Sequence, residues 1–402
     1  MNDMKKEIGL YIHIPFCVKK CFYCDFLSGA SDDNTKKDYV NALIAEISQW
    51  KDIIKEKYKV KTIFIGGGTP TCLSPDLLML IGNALSGMSD YVTEYTIESN
   101  PGTITKKHID AFKQMGINRV SIGLQSANDD ELRRLGRIHT YKEFFECFEM
   151  LRSEGFNNIN IDIMSDIPGQ TIESYENTLK KVIGLRPEHI SAYSLIVEPG
   201  TPFYDMEQSG KLDIADEDTD RQMYHMTKDI LFRHGYKRYE ISNYSLAGFE
   251  CQHNITYWKA DEYLGVGLGA SSYLDGIRFS NERNIKRYIE MHNKKEMHNE
   301  KESSIKNIFS VKEIAEKKED VSILTKENMM EEFMFLGLRM CRGVSGKEFE
   351  ARFGVPLRSI YGDVIEKFLK NKLLAEDNNS GRIYLTERGM DLSNYVMSEF
   401  ML

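Results

Sequence analysis

Three of the seven cysteines in this 402-residue chain fall within one short segment, Tyr11-Ile-His-Ile-Pro-Phe-Cys17-Val-Lys-Lys-Cys21-Phe-Tyr-Cys24-Asp25-Phe26. The spacing is C-x3-C-x2-C. A loop so spaced can wrap three thiolates around one face of a 4Fe-4S cubane, which usually takes four cysteines. The next cysteine along the chain is Cys72, so one iron is left without a protein ligand and is open to a small molecule. A structural zinc site is the competing reading, with His13 as a fourth ligand. The gap of three then two differs from the paired C-x2-C spacing of zinc knuckles. Cys72, Cys147, Cys251 and Cys341 are scattered and read as buried small apolar residues.

Other polar residues fall where β-branched runs end. Gly66-Gly67-Gly68-Thr69-Pro70 follows the run Thr62–Ile65, and consecutive glycines let a ligand approach the backbone. Glu98 ends the run Glu94–Glu98, where an acceptor can bond a pair of ribose hydroxyls. Gln125 follows Arg119–Gly123, and Asp162 sits inside Asn158–Ile163, an environment that disfavours Asp without a functional reason. Arg137 lies in the helical stretch Glu131–Arg137; alone it reads as a solvated charge.

The elements that must position these residues alternate. Runs at Gly9–Ile14, Thr62–Ile65, Glu94–Glu98, Arg119–Gly123, Asn158–Ile163 and His189–Leu195 read as strands. Between them, Lys36–Tyr58, Pro75–Leu85, Lys106–Met115, Tyr141–Glu154 and Ile172–Leu185 read as helices. This order predicts an α/β fold with a parallel sheet, either open or closed into a partial barrel. Further on, Arg221–Arg233 reads as a helix, Tyr236–Tyr244 as a strand and Gly248–Tyr273 as a Gly- and aromatic-rich loop. Lys294–Lys326 reads as a solvated helical linker. Helices at Glu327–Cys341, Ser345–Phe353 and Ser359–Lys370 precede a hairpin, Leu373–Glu376 and Arg382–Leu385, which together suggest a small winged-helix-like α+β domain.

The bulk numbers narrow the classes. Charged residues are 28% and hydrophobic residues 41%, an ordinary globular balance, and the net charge of −9 argues against nucleic acid as main partner. Met1–Phe16 holds neither a signal peptide nor a membrane anchor, so a cytoplasmic, reducing location is expected, which disfavours a disulfide. Oligomeric state is left open.

The cysteine motif after a first strand resembles the radical SAM superfamily. That resemblance implies a partial (β/α)6 barrel in which the amino and carboxylate groups of S-adenosylmethionine (SAM) chelate the free iron, and in which an electron from the cluster cleaves SAM. Together with Tyr11-Ile-His-Ile-Pro-Phe, Gly66–Pro70, Glu98, Gln125, Arg137, Asp162 and the C-terminal Leu385-Thr-Glu-Arg-Gly389, the chain resembles the oxygen-independent coproporphyrinogen III oxidase family. The resemblance implies that Tyr11, Gly67, Gly68, Thr69, Glu98, Gln125, Arg137 and Asp162 line a SAM site beside Cys17, Cys21 and Cys24. It implies three regions: a core over 1–235, a family-specific region over 236–325, and a C-terminal domain over 326–402.

Within that family the oxidase carries a fourth cysteine two residues after the third, and an extension before the cluster motif. Here the position is Phe26, and ten residues precede Tyr11. The segment resembles the heme chaperone branch instead. So does His253-Asn-Ile-Thr-Tyr257-Trp258, followed by Gly265-Val-Gly-Leu-Gly-Ala270. By that resemblance His253 ligates heme, with Cys251 as a less favoured alternative, and Tyr257 and Trp258 flank the porphyrin. The bland reading is a packed aromatic loop with a hydrogen-bonded His. One departure stands out: Ser165-Asp166 precedes Ile167-Pro-Gly-Gln170 where the family has an aromatic-Gly pair. The expectation is a protein that binds a 4Fe-4S cluster, SAM and heme, takes an electron from a donor and delivers heme to acceptors such as respiratory enzymes. The alternative is oxidative decarboxylation of coproporphyrinogen III; heme breakdown or methylation is a third class.

Overall fold

The structure, a computed structural model, describes residues 5–299 and 310–402, the side chains of 294–299 aside. In the core, strand and helix alternate: β1 (Lys6–Ile14), α1 (Asp33–Lys57), β2 (Tyr58–Gly67), α2 (Pro75–Ala84), β3 (Glu94–Ser99), α3 (Lys106–Met115), β4 (Arg119–Gln125), α4 (Asp129–Arg134), α5 (Tyr141–Ser153), β5 (Ile159–Ser165), α6 (Ile172–Gly184) and β6 (His189–Ser194). These six strands lie side by side in parallel in that order, as the alternating pattern predicts. Their residues alternate in kind. Ile12, Ile65, Ile97, Ile122 and Ile161 are buried in the main core that also takes in helix residues such as Leu43, Leu78 and Phe112. The intervening set, including Thr62, Glu94, Arg119, Asn160 and His189, is polar yet also buried. Strands buried on both faces are what a sheet curled round an interior requires.

After α7 (Pro202–Gln208) and α8 (Glu217–Arg233), the expected single strand over Tyr236–Tyr244 is two short ones, β7 (Lys237–Arg238) and β8 (Asn243–Ser245), joined as an antiparallel pair. The expected loop over Gly248–Tyr273 is also structured. It contains α9 (Gln252–Trp258), β9 (Tyr263–Val266) and β10 (Ser271–Leu274), and β9 adds in parallel to the free edge of β1. Next come β11 (Ile277–Ser280), α10 (Ile285–Asn299), α11 (Val311–Ala315) and β12 (Glu319–Ile323), which closes the sheet edge against β11. The charged linker expected over Lys294–Lys326 is thus partly a strand; residues 300–309 lie outside the described residues.

Lys318 shows why that segment is not a solvated spacer. Its ammonium reaches the fully buried Glu46 of α1 at 2.5 Å and Asn281 at 2.6 Å. The same carboxylate accepts from the Gly267 amide (2.8 Å) and the Tyr288 hydroxyl (2.7 Å). One buried anion therefore ties α1, the turn after β9, α10 and the β12 edge together.

The C-terminal part has its own core around Phe349, Tyr361, Phe368 and Phe400. Helices α12 (Lys326–Gly337), α13 (Gly346–Phe353) and α14 (Leu357–Lys370) accompany a three-stranded sheet of β13 (Val344–Ser345), β15 (Arg382–Leu385) and β14 (Leu374–Asp377). Two short helices, α15 (Glu387–Asp391) and α16 (Ser393–Ser398), finish the chain. The winged-helix-like expectation holds. This unit docks through Arg278–Glu332 (2.6 and 3.0 Å) and Arg221–Asp391 (3.1 Å). Among the described residues no helix is long and apolar enough to cross a membrane.

Leaving Lys318 buried without its partner carries a large cost. Glu46→Leu is expected to lower unfolding stability by roughly 3–5 kcal/mol, and the double variant Glu46→Leu/Lys318→Met to recover most of it. Chemical denaturation monitored by circular dichroism checks this; an equal loss in both variants contradicts it.

Candidate functional site

The cysteine loop leaves β1 and is closed at its base. The Cys17 amide donates to the Gly29 carbonyl (2.9 Å), and the Gly29 amide donates to Pro15 (3.0 Å). Phe16 is buried edge-on to Tyr39, whose hydroxyl donates to the His13 carbonyl at 2.7 Å. The His13 ring spans the loop: one nitrogen lies 3.0 Å from the Tyr11 hydroxyl, the other 2.9 Å from the Leu27 carbonyl. Both nitrogens are therefore engaged, and the zinc reading loses its fourth ligand. Among the described residues no three His, Cys, Asp or Glu side chains converge on a point fit for one metal ion. A cubane needs no such convergence, because each thiolate binds a different iron.

The residues around the thiols suit that cluster. Thr69 directs its hydroxyl at the Cys17 sulfur (3.7 Å), and Arg137 directs Nη1 at the Cys21 sulfur (3.8 Å). Asn100 joins these two, donating to the Thr69 hydroxyl and accepting from Arg137, each at 2.6 Å. Arg137 also donates to the Gly123 carbonyl. It lies beyond the end of α4, not within the expected helix, and its guanidinium is turned into the site. The glycines are there for space. A Cβ on Gly67, whose φ is +113°, would meet the His13 ring at 2.6 Å. A Cβ on Gly68 would meet the Phe16 carbonyl oxygen at 2.6 Å and the Cys17 sulfur at 3.0 Å. Backbone bonds from Gly68 to Ile14 (2.8 Å) and from Thr69 to Phe16 (2.7 Å) hold this approach.

Deeper in the barrel lie the other expected residues. The Glu98 carboxylate accepts from the Gly67 amide at 3.1 Å. Burial, and then the charge of Asp162, push its pKa up to about 8. Asp162 accepts from Asn160 (2.7 Å) and Ser121 (3.2 Å), and burial raises its pKa as well. Gln125 ends β4 at a bulge with φ +71° and accepts from the Tyr193 hydroxyl at 2.9 Å. A non-glycine residue in the left-handed region beside a site is stored strain. Asp166 has φ +59°, and its carboxylate accepts from the Ala215 amide at 2.8 Å.

His253 is placed differently from expectation. It sits at the N-terminal ends of the strands, 1% exposed, with one ring nitrogen 2.8 Å from the Thr62 hydroxyl and the other 2.9 Å from the Tyr257 hydroxyl. Its ring stacks on Phe64, at a centroid distance of 5.1 Å. Neither nitrogen is free for an iron, because α9 is held as a plug in the barrel floor. Glu94 fixes that plug, accepting from the Gln252 and His253 amides at 2.8 and 2.9 Å. Cys251 is fully buried with its sulfur 3.5 Å from Glu94, and is no more available. Cys147 is buried as expected, but Cys72 and Cys341 are only half-buried. Burial and the Cys17 sulfur push the Cys72 thiol up to about 11.

Three residues escaped the sequence reading. Asn100 bridges Thr69 and Arg137, and its position directly after a strand in Asn-Pro-Gly was the available signal. Tyr193 and Glu94 carry no local signal, since their partners are far along the chain.

Residues 11–182 match the radical SAM superfamily model, and residues 324–392 match the HemN C-terminal domain model. The heme chaperone HemW of Lactococcus lactis is 36% identical over 99% of this chain and 98% of its own length. That of Bacillus subtilis is 37% identical over 97% and 98%. Among solved structures, the radical SAM enzyme coproporphyrinogen III oxidase (HemN) from Escherichia coli superposes with a TM-score of 0.79 at 21% identity, covering 98% of this chain and 90% of that one, a likeness of fold. Full-length identity at this level, with a closed cysteine loop at the strand ends, means that the chain belongs to the HemW family within the radical SAM superfamily.

Proposed function

We propose that this protein is a heme chaperone, which binds heme and passes it to acceptor proteins such as respiratory enzymes. One observation carries the reading: Phe26 stands 60% exposed where the oxidase branch has its fourth cysteine, in a chain matching curated heme chaperones end to end. Radical turnover of a porphyrinogen is then not its main task.

In this reading Cys17, Cys21 and Cys24 hold three irons of a 4Fe-4S cluster. When bound, the cluster supplies an electron at low potential and an iron free to take the amino and carboxylate groups of SAM. Thr69 and Arg137 donate toward the sulfurs of Cys17 and Cys21, which steadies their negative charge. Tyr11, the Gly67 and Gly68 backbone, Glu98, Gln125 and Asp162 line the space behind the loop and orient SAM. An electron donor must dock at the exposed side of this loop. The half-exposed thiols suit a reducing, cytoplasmic location.

The heme reading is tested by titrating heme into anaerobically reconstituted protein. A saturable Soret band is expected, with heme recovered intact; no such band overturns the reading. With SAM, a reductant and coproporphyrinogen III, no turnover to protoporphyrinogen IX is expected, and enzymatic turnover would restore the oxidase alternative.

Glu98 generates a second prediction. Its folded pKa of about 8 lies above its ordinary 4.5, so its contribution to stability is full below 4.5 and is lost as pH rises through 8. Glu98→Gln removes that loss. In SAM-free protein the variant is expected to gain melting temperature over the wild type progressively from pH 5 to pH 8.5. A pH-independent difference contradicts the assignment.

A further inference from the structure

One of the scattered cysteines is brought to the cysteine loop by the fold. Cys72 ends the one-turn 3₁₀ helix Pro70–Cys72, and its amide donates to the Thr69 carbonyl at 2.8 Å. This turn is tied to the loop, because the Thr69 amide donates to the Phe16 carbonyl at 2.7 Å. The Cys72 sulfur stands beside the Val18 amide and the Thr69 hydroxyl, and Cys17 is the cluster cysteine whose charge reaches it. The Cys17 sulfur lies against the same turn, where a Cβ on Gly68 would come within 3.0 Å of it. It too has the Thr69 hydroxyl, at 3.7 Å. One hydroxyl therefore stands beside two sulfurs.

The turn is open to small reagents. A crevice of about 30 Å³, room for a water-sized molecule, is lined by Val18, Cys21, Thr69, Cys72, Arg137 and Ile138. Val18 and Ile138 are exposed, so the crevice meets solvent. Hydrogen peroxide is close to water in size. Cys21, in the same crevice, is otherwise engaged: the Arg137 guanidinium faces its sulfur at 3.8 Å and is itself held by Asn100.

We infer that Cys17 and Cys72 form a reversible disulfide when the loop holds no cluster and meets hydrogen peroxide. The Cys17 thiolate attacks one peroxide oxygen. An S–O bond forms, the O–O bond breaks, and the hydroxide that leaves takes up the proton Cys17 had lost. The Cys72 sulfur then attacks the Cys17 sulfenic acid. The S–S bond forms, the S–O bond breaks, and the hydroxyl leaves as water with the Cys72 proton. Two thiols lose two electrons in all, and one peroxide is reduced to two waters. Oxidation of Cys17 thus stops at a state that a dithiol reverses, short of the irreversible sulfinic acid. While the bond lasts, the loop is one thiolate short of its cluster. Transient, redox-sensing disulfides are the kind that a reducing compartment permits. This rests on the reading of Cys17 as a cluster ligand and adds a second use for its thiol.

The test uses the full-length chain, stripped of iron by a chelator under reductant, freed of both, and treated anaerobically with hydrogen peroxide. Remaining thiols are blocked with N-ethylmaleimide, and a non-reducing digest is read by mass spectrometry. A peptide carrying Cys17 joined to one carrying Cys72 is expected. The oxidised protein is expected to lose most of its capacity to take up iron and sulfide, and to regain it after dithiothreitol. Untreated Cys72→Ser is expected to load its cluster like the wild type, with the same iron content and electron paramagnetic resonance signal. After peroxide this variant is expected to recover less uptake on dithiothreitol than the wild type, and equal recovery contradicts the protective role. If the untreated wild type loads its cluster but the oxidised chain carries no link, or links only among Cys17, Cys21 and Cys24, the inference is overturned and the cluster reading stands. If the untreated wild type takes up no cluster, that reading falls, and this use of Cys17 falls with it.

Discussion

On the proposed cluster, the cysteine loop turns three thiolates to one side and leaves a metal position bare, and such a loop cannot be its own scaffold. Here the scaffold is the clamp at the base of the cysteine loop, Cys17 to Gly29 and Gly29 to Pro15, with the His13 ring bridging Tyr11 to the returning chain at Leu27. The rest of the site follows from that clamp. Gly67 and Gly68 are glycine because the His13 ring and the Cys17 sulfur already occupy the volume a side chain would need. Thr69 and Arg137 can donate to the sulfurs because Asn100 holds both in place.

The barrel interior shows what such a site demands of the fold. Polar and ionisable groups fill it in layers, from Glu94, Arg119 and His189 at the floor to Glu98 and Tyr193 near the loop. Groups of this kind are costly inside unless partnered. His189 lies 2.6 Å from Asn160 and 2.9 Å from Tyr239, and Glu94 caps α9, while the Arg119 Nε is buried without a hydrogen-bond partner among the described residues. Glu98 has only the Gly67 amide as a direct partner, with its pKa raised by burial. A group kept so poorly matched to its surroundings is what a binding site waiting for a ligand contains.

The architecture was legible where sequence pattern and burial coincide. The six core strands and α3 stand where their β-branched runs and helical period placed them, because both faces of each strand are covered. The reading failed where a partner distant in sequence decides the outcome. Glu319–Ile323 looks like a solvated run because its side chains are mostly exposed, yet its backbone pairs with β11. Gly248–Tyr273 looks like a loop because its glycines serve turns, yet β9 pairs with β1. In the site, Cys17, Thr69, Glu98 and Gln125 were legible as residues at strand ends. His253 was legible as important but not as buried, since only the tertiary structure sets it between Thr62 and Tyr257.

The central claim is that three cysteines present a cluster whose fourth iron is left for SAM. Electron–nuclear double resonance on the reduced, reconstituted cluster tests it most directly, with SAM labelled by ¹⁵N in the amino group and ¹⁷O in the carboxylate. The account predicts hyperfine couplings from both labels, absent without SAM and lost in Cys17→Ala. A fully loaded, reduced cluster whose spectrum carries neither coupling would contradict it.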